Sequence, residues 1–508
     1  MEFIKFCSNS NVVNNDYMLF VFNNSTKILP QELSALDAQH NNIILHTLKS
    51  EKLFSAKFGS MKTLTISDAG NLKHVVLIGA GQDKEITDVS LENLGANIIS
   101  YLTRVKATNA AICVATDLNG ISKDHCSAMI AFGATLAHYK FDKYKTKEDS
   151  EVEKVKLENI SIALAEYESS EKIYNNYYKA VASGICSART LINEPGNVLF
   201  AASYAQRVLG EFENIPNVNV RILGEAAMKE LGMNALLGVN KGSANEPRLV
   251  IIEYKGKGDD SAPLAFVGKG VTFDTGGICL KPSSGMWKMK YDMSGSAVVF
   301  GLLKSLALRA AKVNAIGVLG IVENMPSGSA QRPGDIVTTM SGKTVEVLDT
   351  DAEGRLVLAD AMWYAQEKYA PKLMVDIATL TGSIVIALGD SYAGLFTENE
   401  EMKNQLQLAG KKSGEELWHM PLGEGYNKMI KSDWADLANL GNPARNAGAS
   451  TAAQFLANFT NNVPWAHLDI AGVAWSENPN NTRNTKGATA FGIKLLSQFI
   501  RDNHEQKQ

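Results

Sequence analysis

Seven charged residues in two stretches could do chemistry together. Asp351, Glu353 and Arg355 alternate within Asp349-Thr350-Asp351-Ala352-Glu353-Gly354-Arg355-Leu356, and Lys269, Asp274, Lys281 and Asp292 lie upstream. Four of the seven are carboxylates set among glycines and apolar residues. Buried there without cations, they would repel one another and either be costly to ionise or hold protons. Any one alone reads as a helix cap or a surface acid. Four together, with two lysines and an arginine, read better as the surroundings of bound metal. Oxygen ligands suit Mg or Mn, and zinc also accepts carboxylates. Two ions close together need a bridging carboxylate, which four acids can supply.

The elements that must position these groups alternate along the whole chain. In the first part, strands are expected at Met18–Phe22, Val75–Gly79, Ala110–Ala115 and Ile160–Ala165, with an amphipathic helix over Leu91–Ala107. Phe141–Lys156 is dense in charge and reads as a solvated loop. Glu166–Thr190 suits a long helix, stopped by Asn193-Glu194-Pro195-Gly196-Asn197. The second part offers strands at Arg248–Glu253, Leu264–Gly268, Ala315–Ile321, Leu373–Ile377 and His467–Ile470, and helices at Ser294–Ala311 and Ala449–Phe459. The expectation is α/β throughout, in two domains. A smaller N-terminal α/β domain spans 1–165, a connector helix 166–192, and a larger α/β/α domain with a mixed, mainly parallel sheet 193–508. Ligands of such sheets gather at the carboxyl ends of strands. Lys269 and Asp274 are expected just after the Leu264 strand, and Asp351 and Glu353 just after an apolar run holding Val345 and Val347.

With 508 residues, two domains are favoured over one, and 45% hydrophobic content suits packed cores. A formal net charge of −4 supplies no general pull towards nucleic acid or anionic membrane. The five cysteines (Cys7, Cys113, Cys126, Cys186 and Cys279) are scattered, with no C-x-x-C pair, and read as reduced thiols. The N-terminus lacks the apolar core of a signal peptide and no run is long enough to span a membrane, so a cytoplasmic location is expected.

Other motifs fail on inspection. Gly79-Ala80-Gly81 begins like a dinucleotide fingerprint, but Lys84 stands where its last glycine belongs. Ser341-Gly342-Lys343-Thr344 ends like a phosphate loop, but Val337 replaces its first glycine and a strand follows. H-E-x-x-H and G-x-S-x-G are absent. His125, His138 and His467 read as structural histidines.

The two stretches also carry a resemblance. Gly268-Lys269-Gly270-Val271-Thr272-Phe273-Asp274, Lys281-Pro282, Met289-Lys290-Tyr291-Asp292-Met293 and Met340–Leu356 resemble the leucyl aminopeptidases, the cytosolic two-metal (M17-type) aminopeptidase family. The likeness continues through Asp376–Gly382, Ala466–Gly472 and Lys486–Thr489. It is strong over about 140–495 and holds only in pattern before that, where it implies a macro-like domain.

The resemblance implies roles. Lys269, Asp274, Asp292 and Glu353 resemble ligands of one metal, and Asp274, Asp351 and Glu353 ligands of the other. Lys281 and Arg355 resemble the catalytic pair, with a bicarbonate held at Arg355 as base. Met289, Thr379, Gly382 and Ala449 match the wall of the pocket for the first residue of the peptide, which suits Leu or Met. The implied cofactors are two divalent ions, Mn or Zn, and the implied assembly is a homohexamer acting on peptides. Some bacterial relatives also bind DNA, a reading to which the net charge lends nothing. Asp349 departs from the family's usual Asn, Ser294 and Ser296 stand where glycines are common, and Ala490 where Gly is common. Asp349 is expected to add a carboxylate near the metals, tightening them or shifting the pH profile.

Overall fold

A computed structural model describes the chain except residues 1, 2, 25–27, 69, 116, 147–155, 445, 478–485, 507 and 508. Most of the expected charged loop before Lys156 therefore lies outside the described residues. The chain divides into two compact units, the first Met1–Ala182 and the second beginning at Ser183.

In the first unit, β1 (Ile4–Ser8), β2 (Tyr17–Phe22), β3 (Met61–Asp68), β4 (Asn71–Gly79), β5 (Asn109–Val114) and β6 (Asn159–Leu164) form one sheet. The order is β1-β6-β5-β2-β4-β3, and only the β3–β4 pair is antiparallel. The four expected strands correspond to β2, β4, β5 and β6. Helices Asp88–Arg104 and Lys123–His138 meet at two glycines. A Cβ on Gly95 would lie 2.1 Å from the Ile130 carbonyl, and one on Gly133 1.9 Å from that of Glu92. The expected connector is three consecutive pieces: an α-helix Tyr167–Ile173, a π turn Tyr174–Tyr178 and an α-helix Lys179–Asn193. The division between the units falls inside the last of these.

The second unit is built on β7 (Val218–Leu223), β8 (Arg248–Lys255), β9 (Leu264–Asp274), β10 (Asn314–Asn324), β11 (Ile336–Thr338), β12 (Thr344–Glu346), β13 (Leu373–Ala378), β14 (Ala393–Phe396), β15 (Leu417–His419), β16 (Leu437–Ala438) and β17 (Trp465–Asp469). Eight of these make the main sheet, in the order β15-β14-β17-β13-β9-β10-β8-β7. Its central run β17-β13-β9-β10 is parallel, while β8, β7 and β14 pair antiparallel. The sheet is thus mixed, with the parallel strands at its centre.

β9 is buried along almost all of its length because both faces are covered. Side chains alternate along a strand. Gly268 and Gly270 face the helix Ser294–Leu308, where a Cβ on Gly268 would sit 2.4 Å from Ser296 Cα. Val267 and Val271 join the apolar core with Leu356, Val357 and Met362 of the opposite helix, Gly354–Tyr369.

Two placements differ from expectation. Lys269 and Asp274 lie within β9, because pairing with β10 continues past the glycines to Asn324↔Asp274. The apolar run ends at Gly268, but the backbone ladder does not. Asp351 and Glu353 follow β12, yet β12 belongs to a separate three-stranded sheet, β11-β12-β16. They reach the main sheet from the loop that enters the helix Gly354–Tyr369.

Candidate metal centre

Lys269 enters the site from the middle of β9, and its ammonium is buried. Nζ lies 2.8 Å from Asp292 Oδ1, 2.8 Å from Glu353 Oε1 and 2.9 Å from the Thr379 carbonyl. Gly354 makes this path possible. A Cβ there would lie 2.7 Å from Lys269 Cδ and Cε. Asp274 closes the same strand. Its Oδ1 accepts from Gly276 N at 2.9 Å and from Asn324 Nδ2 at 2.8 Å, and its Oδ2 pairs with Lys281 Nζ at 2.8 Å. Lys281, on the loop after β9, also pairs with Asp351. Asp292 ends a 3₁₀ turn, Met286–Tyr291, and its Oδ1 accepts from Thr379 Oγ1 at 2.8 Å.

The loop bearing Asp351 and Glu353 is fixed by Asn439. Its Oδ1 accepts from Leu348 N and Asp349 N, and its Nδ2 donates to the Asp349 and Ala352 carbonyls. The Asn439 carbonyl accepts from Arg355 Nη1 at 2.7 Å. Asp349 Oδ1 accepts from Asp351 N at 2.9 Å, so the departing residue serves the loop itself. Ser294 and Ser296 are likewise absorbed, donating to the Tyr291 and Met293 carbonyls. Ala490 takes φ +58°, the left-handed region that favours glycine.

Carboxylate oxygens of Asp274, Asp351 and Glu353 all lie within 4.8 Å of one another. Burial, and then neighbouring carboxylates, push Asp351 up to about 7. Burial, then Glu353, raises Asp274, and burial raises Asp292 well above the usual range. Burial would raise Glu353 too, but Lys269 and Lys281 hold it low. Burial would lower both lysines, yet the carboxylates hold each above its ordinary value. Four carboxylates therefore share two ammoniums and a remainder of protons. Asp292 Oδ2 is buried with no hydrogen-bond partner. A carboxylate cluster with unpartnered oxygens and bound protons fits divalent cations, which would replace those protons. Lys269 would join the ligands only after losing its own proton. Arg355 is buried, its Nε has no partner, and burial lowers it to about 10. A guanidinium with an unused donor fits an anion.

All seven charged residues named from the sequence converge here. Of the four expected pocket residues, Thr379 touches the centre directly through Lys269 and Asp292. Gly382 and Ala449 lie in the first turns of two helices, Gly382–Leu388 and Gly448–Ala457, that abut where Gly448 faces Ser383. Ala449 packs with Ile384, Phe396 and Ala453. Met289 is half-buried on the turn that ends at Asp292. Sequence reasoning missed Asn324 and Asn439, which fix Asp274 and the Asp351 loop. Asn324 comes opposite Asp274 only through the β9–β10 pairing, past an irregularity after Val322 that no local pattern marks.

Fold and site define a two-domain α/β protein whose second unit presents a carboxylate–lysine centre suited to divalent cations. Comparison with known proteins is more specific. Residues 186–497 match the catalytic domain of the cytosol aminopeptidase family, and residues 18–148 match that family's N-terminal domain. A probable cytosol aminopeptidase of Rickettsia bellii is 47% identical, covering 97% of this chain and 98% of that protein. Its counterpart in Rickettsia peacockii is 45% identical, covering 95% and 96%. A solved structure of the bottromycin maturation enzyme BotP in complex with Mn superposes with a TM-score of 0.81 at 29% identity, covering 96% of this chain and 99% of that one. The chain belongs to the cytosol aminopeptidase family, and its activity is that of a metallo-aminopeptidase, a hydrolase acting as an exopeptidase. Among the described residues, no helix is long and apolar enough to cross a membrane.

Proposed function

We propose that this chain removes N-terminal residues, preferentially Leu or Met, from peptides in the cytoplasm, and does so as a homohexamer. The observation that carries the catalytic reading is the set of four carboxylates, three buried and Asp351 partly exposed, with the unpartnered Asp292 Oδ2 among them. Lys269, Asp274, Asp292, Asp351 and Glu353 would hold two divalent ions. Mn is favoured because the structurally similar BotP was solved in complex with it, and Zn suits the same donors. Bound there, the ions supply an acidified water and a polarised carbonyl.

The chain's own groups do the rest. Lys281, paired with Asp274 and Asp351, would act as a hydrogen-bond donor and positive charge towards the scissile carbonyl oxygen. Its Nζ sits on a loop and is partly exposed, which leaves it free to turn from Asp351 to a substrate. Arg355 would hold a planar anion, bicarbonate, through donors not used by Asn439, and that group would supply a general base there. Thr379 positions Lys269 and Asp292, while Met289, Gly382 and Ala449 wall the pocket for the first side chain. The test is hydrolysis of a leucyl chromogenic amide after chelation and re-addition of Mn or Zn. Activity should vanish and return. No metal-restored activity would defeat this reading.

A further inference from the structure

β13 and β17 run side by side until their register ends at Ala378↔Asp469. One more backbone bond follows, from Ile470 N to the Ala378 carbonyl at 2.8 Å. The next residue, Thr379, serves the metal centre twice. Its carbonyl accepts from Lys269 Nζ, and its hydroxyl donates to Asp292 Oδ1. Past Ala378 the ladder no longer holds this backbone, and buried N–H groups still need partners.

The Asp469 carboxylate takes over where the ladder stops. It is 1% exposed. Oδ1 accepts from Leu380 N at 3.1 Å and from Ala471 N at 3.2 Å, and Oδ2 accepts from Thr381 Oγ1 at 2.7 Å. Thr381 Oγ1 in turn accepts from Ile384 N at 3.1 Å and caps the helix Gly382–Leu388. Thr379 is therefore clamped on both sides, at Ala378 by the Ile470 backbone and at Leu380 by the Asp469 side chain.

The geometry points to Asp469 as a positioning residue for one half of the metal centre. It fixes the backbone at Leu380 and Thr381, and through it the Thr379 carbonyl and hydroxyl, so that Lys269 and Asp292 present their ligand atoms to one of the two ions. This rests on the two-ion reading above. Lys269 needs such a hold more than the carboxylates do. As a ligand it is an uncharged amine on a flexible stem, and an N–H bond to a fixed carbonyl aims its lone pair. The Asp351 side of the centre is fixed separately, by Asn439. Loss of Asp469 should reach one ion and not the other.

Calorimetric titration of the chelated full chain with Mn tests it. Asp469→Ala should weaken one of two ions about 10–100-fold and leave the other as in the parent. Asp469→Asn keeps an oxygen for both backbone amides and should restore the parent's binding. In a Lys269→Ala background, Asp469→Ala should not weaken the remaining ion, because both changes act on the same half. Without metal, amide exchange over 379–384 should be about tenfold faster in Asp469→Ala. Thr381→Val cuts only the Oδ2 contact and should weaken the same ion by less, and it decides the matter if Asp469→Ala does not fold. Two ions bound as tightly in Asp469→Ala and Thr381→Val as in the parent would overturn the assignment, as would equal weakening of both ions. A parent that takes up no Mn would defeat the two-ion reading itself, a result distinct from either.

Discussion

Two buried charged clusters lie in the second unit, and they are solved differently. Between β13 and β17, Asp376 Oδ1 meets His467 Nδ1 at 2.6 Å, and Oδ2 accepts from Trp465 Nε1 at 2.7 Å. One carboxylate there has two protein partners, and both of its oxygens are engaged. The Asp376 charge holds His467 above its ordinary value against burial, so the carboxylate is balanced within the fold, although His467 Nε2 is buried without a hydrogen-bond partner. At the metal centre, four carboxylates share two ammoniums, three of the acids are pushed up, and Asp292 keeps an unpartnered buried oxygen. Burial and acidity are common to both clusters. What separates them is whether the protein's own cations balance the buried carboxylates, one against one at Asp376 and four against two at the metal centre. The incomplete one is the one that requires a cation.

Substitutions should respond differently in the two places. Glu353→Gln should cut hydrolysis of a leucyl amide by about 10³-fold, the scale of losing one electrostatic stabiliser, and lower metal content, with the fold retained by circular dichroism. His467→Ala should do the opposite. It leaves Asp376 half-paired and should cost about 3–5 kcal/mol in urea unfolding, while metal content per folded chain stays unchanged. A His467→Ala chain that unfolds like the parent, or loses metal, would erase the contrast.

Gly354→Ala acts between these extremes. The new Cβ would displace the Lys269 stem and should weaken metal binding about 10–100-fold, as disturbed ligand orientation does. Titration of the chelated variant with Mn would measure it.

The pH dependence sets the metal centre apart from an isolated buried acid as well. Asp351 is raised to about 7 in the folded chain, so between its unfolded value and 7 the folded state holds the extra proton. Stability of the cation-free chain should therefore fall as pH rises through about 4 to 7. Asp360, buried where Leu236 N and Met340 N donate to it, is also raised to about 7 and contributes with the same sign whether or not metal is bound. The difference between chelated and Mn-loaded melting curves across this range isolates the centre. Equal slopes in both forms would mean that the carboxylates do not lose protons to a cation.

The smallest effect belongs to Asp349→Asn. The Asp349 side chain accepts the Asp351 amide, and an Asn oxygen can do the same. Stability should change by less than about 0.5 kcal/mol, and the pH–rate profile should overlay that of the parent. A displaced profile would restore the expectation that this carboxylate acts on the metals.

Much of this was legible in the sequence because local signals carried it. Apolar runs marked the central strands, and seven charged residues in glycine-rich surroundings marked the centre. The pieces that were not legible depend on distant partners. The continuation of β9 to Asp274 is dictated by pairing with β10, not by its own apolar pattern, which glycines interrupt. The assignment of β12 to a separate sheet rests on a two-residue partner, β16, too short to leave a pattern. Asn439 resembles any polar loop residue until the fold brings it beneath the Asp351 loop.

In the proposed mechanism two divalent ions would balance the four carboxylates, one of them held partly by Lys269. Metal content of the Mn-loaded parent and of Lys269→Ala, measured on folded chains after removal of free ion, tests it most directly. Two ions per chain are expected in the parent and one in the variant. Two ions in both would contradict the role of Lys269, and none in the parent would contradict the centre itself.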